Sequence, residues 1–129
     1  MVGERASVAF SVNASEMQDF ARVSGDYNPL HTDAAFARAR GFPDVVVYGA
    51  LLVAKVSRLI GMQLPGRDSV WVSCALRFHE PLFVDEPASA EGEVTAISGA
   101  TGLVTLRLRL ESHGRLLAKG TAEVMLGRP

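Results

Sequence analysis

Alternating apolar and polar residues in the second half of the chain predict a series of β-strands. The predicted strands are residues 69–79, 88–98, 103–113 and 116–126, separated by turn-forming segments. In the third strand, three leucines alternate with three charged residues: Leu106, Leu108 and Leu110 with Arg107, Arg109 and Glu111. This alternation is typical of an antiparallel sheet with one buried face and one solvated face.

The amino-terminal part of the chain predicts one strand followed by one helix. Residues 6–12 alternate between polar and apolar side chains, as in a half-buried strand. Apolar residues at helical spacing follow between positions 17 and 24, and Gly25 is expected to end this helix. Asn13 and Ser15 are candidate N-caps, and residues 15–18 have the pattern of a capping box.

Two further helices are predicted in the middle of the chain. The shorter one covers residues 33–40, with Thr32 as its cap and Gly41 at its end. The longer one covers residues 49–62 and is apolar on nearly every side, which is typical of a buried helix. Together these elements predict a single α+β domain over residues 1–129, in which a five-stranded antiparallel sheet wraps around one long helix.

Composition narrows the classes of function. The chain has 129 residues, of which 48% are hydrophobic and 21% charged, as expected for one globular domain. A formal net charge of −1 without a basic run argues against nucleic acid as a partner. The single cysteine, Cys74, cannot form an internal disulfide, which favours a reducing compartment, and its strand pattern predicts that it is buried.

No membrane partner is expected either. The most apolar stretch, residues 45–60, contains Lys55 and Arg58 and is shorter than the roughly 20 apolar residues that a spanning helix needs. The amino-terminal residues lack the apolar core of a signal peptide. We therefore expect a cytoplasmic protein.

The segment Gly25-Asp-Tyr-Asn-Pro-Leu-His31 carries the candidate chemistry. Pro29 disfavours a helical conformation at Asn28, so the preceding helix must stop and the chain must turn. Asp26 and His31 can then face each other across the turn and hold one water molecule. A carboxylate and an imidazole in that arrangement form a general acid–base pair that works near neutral pH.

Each of these residues also has a purely structural interpretation. Asp26 alone could be an exposed turn residue, and His31 alone could cap a helix or pack against it. Asn28 is expected to hold the turn through its side-chain amide. The combination of all of them in one motif, with a helix after it, favours catalysis.

Residues 20–36 resemble the signature of the MaoC-like (R)-specific enoyl-CoA hydratases, and Gly49-Ala-Leu-Leu52, Ser57 and residues 59–61 resemble the central helix of that family. The resemblance covers nearly the whole chain. It implies a hot-dog fold, in which the sheet wraps the helix, and hydration of trans-2-enoyl thioesters by Asp26 and His31. It also implies an acyl-CoA or acyl-carrier-protein substrate, no cofactor and a homodimer. An exposed sheet edge independently favours the dimer.

The resemblance also extends to the start of the long helix. Gly49 is the candidate oxyanion donor, because first-turn N–H groups lack partners within the helix and glycine permits close approach. A loop glycine before a helix is the simpler interpretation. Ser57 lies about two turns further on, near the same face, and is expected either to contact the site or to bond back to a helical carbonyl.

The chain departs from the family pattern in two places. Tyr48-Gly49-Ala50 replaces the usual His-Gly-Met, and we expect Tyr48 to line the pocket mouth and tune the choice of acyl group. The loop at residues 85–87 lacks the usual Gly-Asp pair. Outside the motif, His79 and His113 have no metal-ligand spacing, and Trp71 and Phe78 are expected to pack in the core.

Two other functions are compatible with this fold. A hot-dog thioesterase would hydrolyse the thioester bond, but such enzymes need a carboxylate near the helix start, and residues 49–58 contain neither Asp nor Glu. A non-catalytic acyl-thioester-binding protein is the other alternative. The paired Asp26 and His31 argue against it, whereas Tyr48 keeps it open.

Overall fold

The computed structural model describes residues 1–126 and contains five strands and four helices within that range. In chain order the elements are β1 (Arg5–Phe10), α1 (Ala14–Ser24), α2 (Pro29–Thr32), α3 (Ala34–Ala39), α4 (Gly49–Met62), β2 (Ser69–Phe78), β3 (Ala88–Ile97), β4 (Leu103–Ser112) and β5 (Arg115–Leu126). The long helix has the bounds that the sequence predicts. Within the described residues, no helix is long and apolar enough to cross a bilayer.

The five strands form one antiparallel sheet in the order β1-β3-β4-β5-β2. The helix α4 packs against this sheet and contacts β1, β2 and β3. Val56 and Leu59 of α4 are fully buried, as are Leu106 and Leu110 of β4, whereas the arginines between those leucines are exposed. The α+β architecture and the alternation of β4 are therefore confirmed.

The helix α1 is held at both ends by local contacts. Asn13, not Ser15, is the N-cap, and it forms the capping box with Glu16 instead of the box predicted for residues 15–18. Gly25 ends the helix with φ 77°, as predicted, because glycine adopts this left-handed conformation without strain. Lys55 of α4 forms an ion pair with Glu16 at 2.9 Å, and the hydrogen bond in this pair lowers the pKa of the Glu16 carboxyl.

The predicted elements between α1 and α4 needed two corrections. The short helix α2 was not predicted, and Asp33, not Thr32, caps α3 by accepting from the backbone N–H groups of Ala35 and Phe36. The Thr32 hydroxyl instead donates to carbonyls of the preceding turn, because Thr32 is already the last residue of α2. The chain thus makes two short helices where one was expected.

The edge strand β2 is largely exposed, contrary to expectation. Cys74 is exposed instead of buried, and Phe78 remains 51% exposed, whereas Trp71 packs partly against the core. The reason is topological: β2 pairs only with β5, and no strand among residues 1–126 covers its other edge. Strand alternation predicts which face a residue takes, but not whether that face is covered.

The loop before β3 explains one departure from the family pattern. Asp85 has φ 66°, in the left-handed region where glycine is favoured and aspartate is among the better-tolerated alternatives. Its backbone N–H donates to the carbonyl of Val12. Glu86 beside it is partly buried, which opposes ionisation, but hydrogen bonds, chiefly from Arg115, outweigh burial and lower the pKa of its carboxyl.

Candidate active site

Asp26 lies in the turn that directly follows α1. Its backbone N–H donates to the Ser24 hydroxyl at 3.0 Å, and its carboxylate accepts from the backbone N–H of Asn28 at 3.1 Å. The side chain is exposed, so the turn interpretation describes its local contacts correctly. The same contacts hold the carboxylate in one place at the surface, where water and a ligand can reach it.

Asn28 and Pro29 start the next helix and thereby place His31. The side-chain oxygen of Asn28 accepts from the backbone N–H of Leu30 at 2.9 Å, so Asn28 is the N-cap of α2 and has the structural role that was predicted. Proline suits the first helical position because it has no N–H to satisfy there. His31 is consequently fixed as the third residue of α2, five positions after Asp26.

The His31 imidazole is oriented by a backbone carbonyl. Its Nδ1 lies 2.6 Å from the carbonyl oxygen of Val46. Because a carbonyl can only accept, Nδ1 carries the hydrogen, and Nε2 of the neutral ring is left with a free lone pair. Sequence reasoning missed Val46, since a backbone carbonyl leaves no signal in the residue type.

Tyr48 lies beneath both candidate catalytic residues. Its hydroxyl donates to the backbone carbonyl of Asp26 at 2.6 Å, and its ring stacks on His31 with a centroid distance of 4.1 Å and an interplanar angle of 25°. Tyr48 is only 2% exposed, so the expectation that it lines the pocket mouth is wrong. Tyr48 is buried because it contacts Asp26 and His31, which are distant from it in the sequence.

The surroundings of Tyr48 keep its hydroxyl protonated, so that it can act as a hydrogen-bond donor. Burial, followed by the negative charge of Asp26 and by Tyr27, raises the pKa of the Tyr48 phenol. The hydroxyl therefore remains protonated over the pH range in which a histidine titrates.

Gly49 is the first residue of α4 and follows Tyr48 directly. Among residues 1–126, no acceptor is hydrogen-bonded to its backbone N–H, as expected at a helix start without a side-chain cap. A Cβ atom at this position would lie 3.0 Å from the Phe78 ring, so glycine allows that ring to approach the helix start. Ala50, the second departure here, is exposed.

Ser57 lies on the exposed side of α4, together with Ala50 and Ala54. Within the described part of the chain its hydroxyl forms no hydrogen bond with His31 or with a helical carbonyl. The structure thus brings Asp26, His31, Tyr48 and Gly49 together and leaves Ser57 facing outward on α4.

An open cavity of about 540 Å³ borders His31 on the side of α1. Its lining combines apolar side chains, such as Met17 and Val45, with the exposed ring of Tyr27 and with the charged Asp19 and Arg22. A volume of this order is typical of small-molecule sites. Among the residues described, no cluster of three or more His, Cys, Asp or Glu side chains is arranged to hold a metal ion.

Comparison with known proteins assigns the chain to a family. Residues 3–112 match the model of the MaoC like domain. An (R)-specific enoyl-CoA hydratase of Aeromonas caviae is 40% identical over 126 residues, which cover 97% of this chain and 94% of that protein. The corresponding enzyme of Rhodospirillum rubrum is 29% identical over 96% of this chain and 86% of its own length.

Solved structures agree with this assignment. An (R)-hydratase from A. caviae, described as involved in PHA biosynthesis, superposes with a TM-score of 0.94 at 39% identity, covering 98% of this chain and 96% of the other. An R-hydratase from Pseudomonas aeruginosa superposes with a TM-score of 0.92 at 32% identity, covering 100% and 83%. The match over most of its length, the fold and the motif from Gly25 to His31 show that this chain belongs to the MaoC-like domain family.

Proposed function

We propose that this protein is an (R)-specific enoyl-thioester hydratase, which adds water reversibly to trans-2-enoyl thioesters and forms (3R)-3-hydroxyacyl thioesters. One observation carries the proposal: Asp26 and His31 are both anchored on Tyr48, directly before Gly49, whose N–H has no partner within residues 1–126. The relatives named as (R)-specific enoyl-CoA hydratases support the same reaction and the same stereochemistry.

In this reaction the acid–base pair takes one proton from water and gives one proton to the α-carbon. The oxygen of water bonds to the β-carbon and loses one proton to the pair, while the electron pair of the double bond moves toward the thioester carbonyl. The α-carbon then takes a proton from the pair, and the carbonyl re-forms. The free Nε2 of His31 and the Asp26 carboxylate are the two acceptors that can hold the attacking water.

The negative charge that develops on the thioester oxygen needs a donor. We assign this role to the N–H of Gly49, which has no partner among residues 1–126 and lies at the positive end of the 14-residue helix α4. The absence of Asp and Glu from residues 49–58 leaves no carboxylate there to activate water for thioester hydrolysis. Hydration is therefore favoured over the thioesterase alternative.

The test is an assay of the purified protein with crotonyl-CoA and with the crotonyl thioester of an acyl carrier protein. We expect loss of the conjugated thioester absorbance, and a product that only an (R)-specific 3-hydroxyacyl dehydrogenase oxidises. Release of free thiol instead would identify a thioesterase. Binding without turnover of either substrate would favour the non-catalytic alternative.

We further propose that the protein is a homodimer joined along β2. This edge strand exposes Cys74 and Phe78, and the helix α4, which contacts β2, exposes Ala54 and Ser57. Pairing of two β2 edges would produce one continuous sheet and cover these residues. It would also explain why the sequence pattern predicts burial for Cys74 and Phe78 although a single chain leaves them exposed.

Cys74→Arg should therefore convert a dimer into a monomer at micromolar concentration, because a charge would be buried at the interface. Light scattering with online chromatography measures the mass directly. Val23→Arg is the matched control, since Val23 is 76% exposed on α1, and it should leave the dimer intact. A wild-type mass of a single chain would contradict the proposal.

A further inference from the structure

We propose that Tyr48 is a positioning residue for the acid–base pair: it fixes the turn that carries Asp26 and the ring plane of His31, and it does not itself exchange protons with substrate. This inference rests on the proposed hydratase function. It replaces the expectation that Tyr48 selects the acyl group from the pocket mouth.

The two contacts of Tyr48 reach the two halves of the pair separately. Its hydroxyl donates to the main chain of Asp26, in the same residue whose carboxylate accepts from Asn28, so the bond restrains the turn and not the carboxylate itself. Its ring stacks on His31, whose Nδ1 is already held by Val46. The stack thus restricts rotation of the imidazole about the axis that the hydrogen bond leaves free.

The short segment from Val46 to Gly49 unites these contacts. Val46 accepts from the His31 ring and donates its backbone N–H to the carbonyl of Leu30 at 3.1 Å. Tyr48 follows with its hydroxyl and ring, and Gly49 supplies the N–H that we assign as the oxyanion donor. One backbone segment therefore sets the distance between the acid–base pair and the oxyanion donor.

Burial excludes a direct catalytic role for the tyrosine. Tyr48 is 2% exposed, its hydroxyl is committed to the Asp26 carbonyl, and Phe20 packs on its ring with a centroid distance of 4.6 Å. Neither water nor a thioester can reach the phenol oxygen without displacing this packing. Buried tyrosine hydroxyls usually have a hydrogen-bond partner for packing reasons alone. An experiment must therefore distinguish a structural role of Tyr48 from a role in positioning the pair.

Three variants make this separation. Tyr48→Phe removes the hydrogen bond and keeps the stack, and Tyr48→Leu removes both. Val104→Ala is the control for lost stability, because Val104 is fully buried in β4, where it pairs with Ile97 and Val124 away from the site. We expect kcat for crotonyl-CoA to fall between about 10-fold and 100-fold in Tyr48→Phe and further in Tyr48→Leu, as misplacement of reacting groups predicts. KM should change less than about threefold, and Val104→Ala should keep both constants.

A second readout needs no substrate. The imidazole nitrogen signals of His31, assigned by their loss in His31→Ala, report the surroundings and the mobility of the ring. Because the stack restricts rotation of the imidazole, we expect Tyr48→Leu to shift and broaden these signals and Val104→Ala to leave them unchanged. Wild-type kcat together with wild-type His31 signals in both tyrosine variants would overturn the proposal. If the wild-type protein does not hydrate any enoyl thioester, the proposed function fails, and the His31 signals still decide whether Tyr48 orients the imidazole.

Discussion

Replacing His31 with alanine, or Asp26 with asparagine, should lower kcat for hydration by at least about 100-fold, the smaller effect expected on losing one acid–base group. Alanine removes the imidazole altogether, whereas asparagine replaces the carboxylate with an amide whose oxygen still accepts a hydrogen bond but does not take up a proton. Each variant therefore leaves only one member of the pair to move both protons. Steady-state kinetics with crotonyl-CoA, under saturating substrate, measure the loss.

Neither variant should unfold the protein. The turn is built by the left-handed Gly25, by the Asn28 cap and by the hydroxyl of Tyr48 on the Asp26 carbonyl, all of which remain. We expect the free energy of unfolding to change by less than about 2 kcal/mol. His79→Ala and Asp68→Asn are matched controls at exposed positions outside the motif and should retain full turnover. Near wild-type kcat in either motif variant would show that the pair is not catalytic.

Gly120→Ala should destabilise the fold by more than about 2 kcal/mol, although it adds only one methyl group. Gly120 lies in β5 opposite Leu76 of β2. An added Cβ would lie 2.9 Å from the Cα of Leu76 and closer still to the Ala75 carbonyl, and all of these are backbone atoms that no rotamer change can move. The strand β2 would have to shift away from β5, and with it the edge that we propose to form the dimer.

Gly61→Ala provides the contrasting control for this prediction. Gly61 lies in the last turn of α4, and an added Cβ would meet no atom within 4 Å. Alanine should therefore raise the free energy of unfolding by about 0.5–1 kcal/mol, because glycine is the poorer helix former. Chemical denaturation of both variants tests the pair. Equal stability of Gly120→Ala and the wild-type protein would mean that β2 does not approach β5 this closely in solution.

Local sequence was sufficient for the long helix and for the four carboxy-terminal strands. The helix has its predicted bounds, and the strands end within one residue of the predicted ends. Their patterns are long and strongly periodic, so the signal for helix or strand is repeated over many residues. Helix caps were less predictable: Asn13 and Asp33 act where Ser15 and Thr32 were expected, because neighbouring Ser, Thr, Asn and Asp residues compete for the same backbone N–H groups.

Sheet order and depth of burial depended on contacts between distant parts of the chain. The alternation around Cys74 correctly predicts a strand, but its exposure follows from the position of β2 at the edge, which no local pattern records. Tyr48 differs in the opposite direction: it was expected at the pocket mouth, but it is one of the largest fully buried side chains.

The motif from Gly25 to His31 was readable because it is a local turn, built by hydrogen bonds between residues at most a few positions apart. Asp26 and His31 could be named as candidates, and the helix start at Gly49 predicted, from such short-range order. What orients the pair lies elsewhere: the carbonyl of Val46 is 15 residues from His31, and the hydroxyl of Tyr48 is 22 residues from Asp26. The type of a residue restricts the conformation of the backbone near it. The contacts of Val46 and Tyr48, by contrast, form only when the tertiary fold brings residues 46–48 next to residues 26–31.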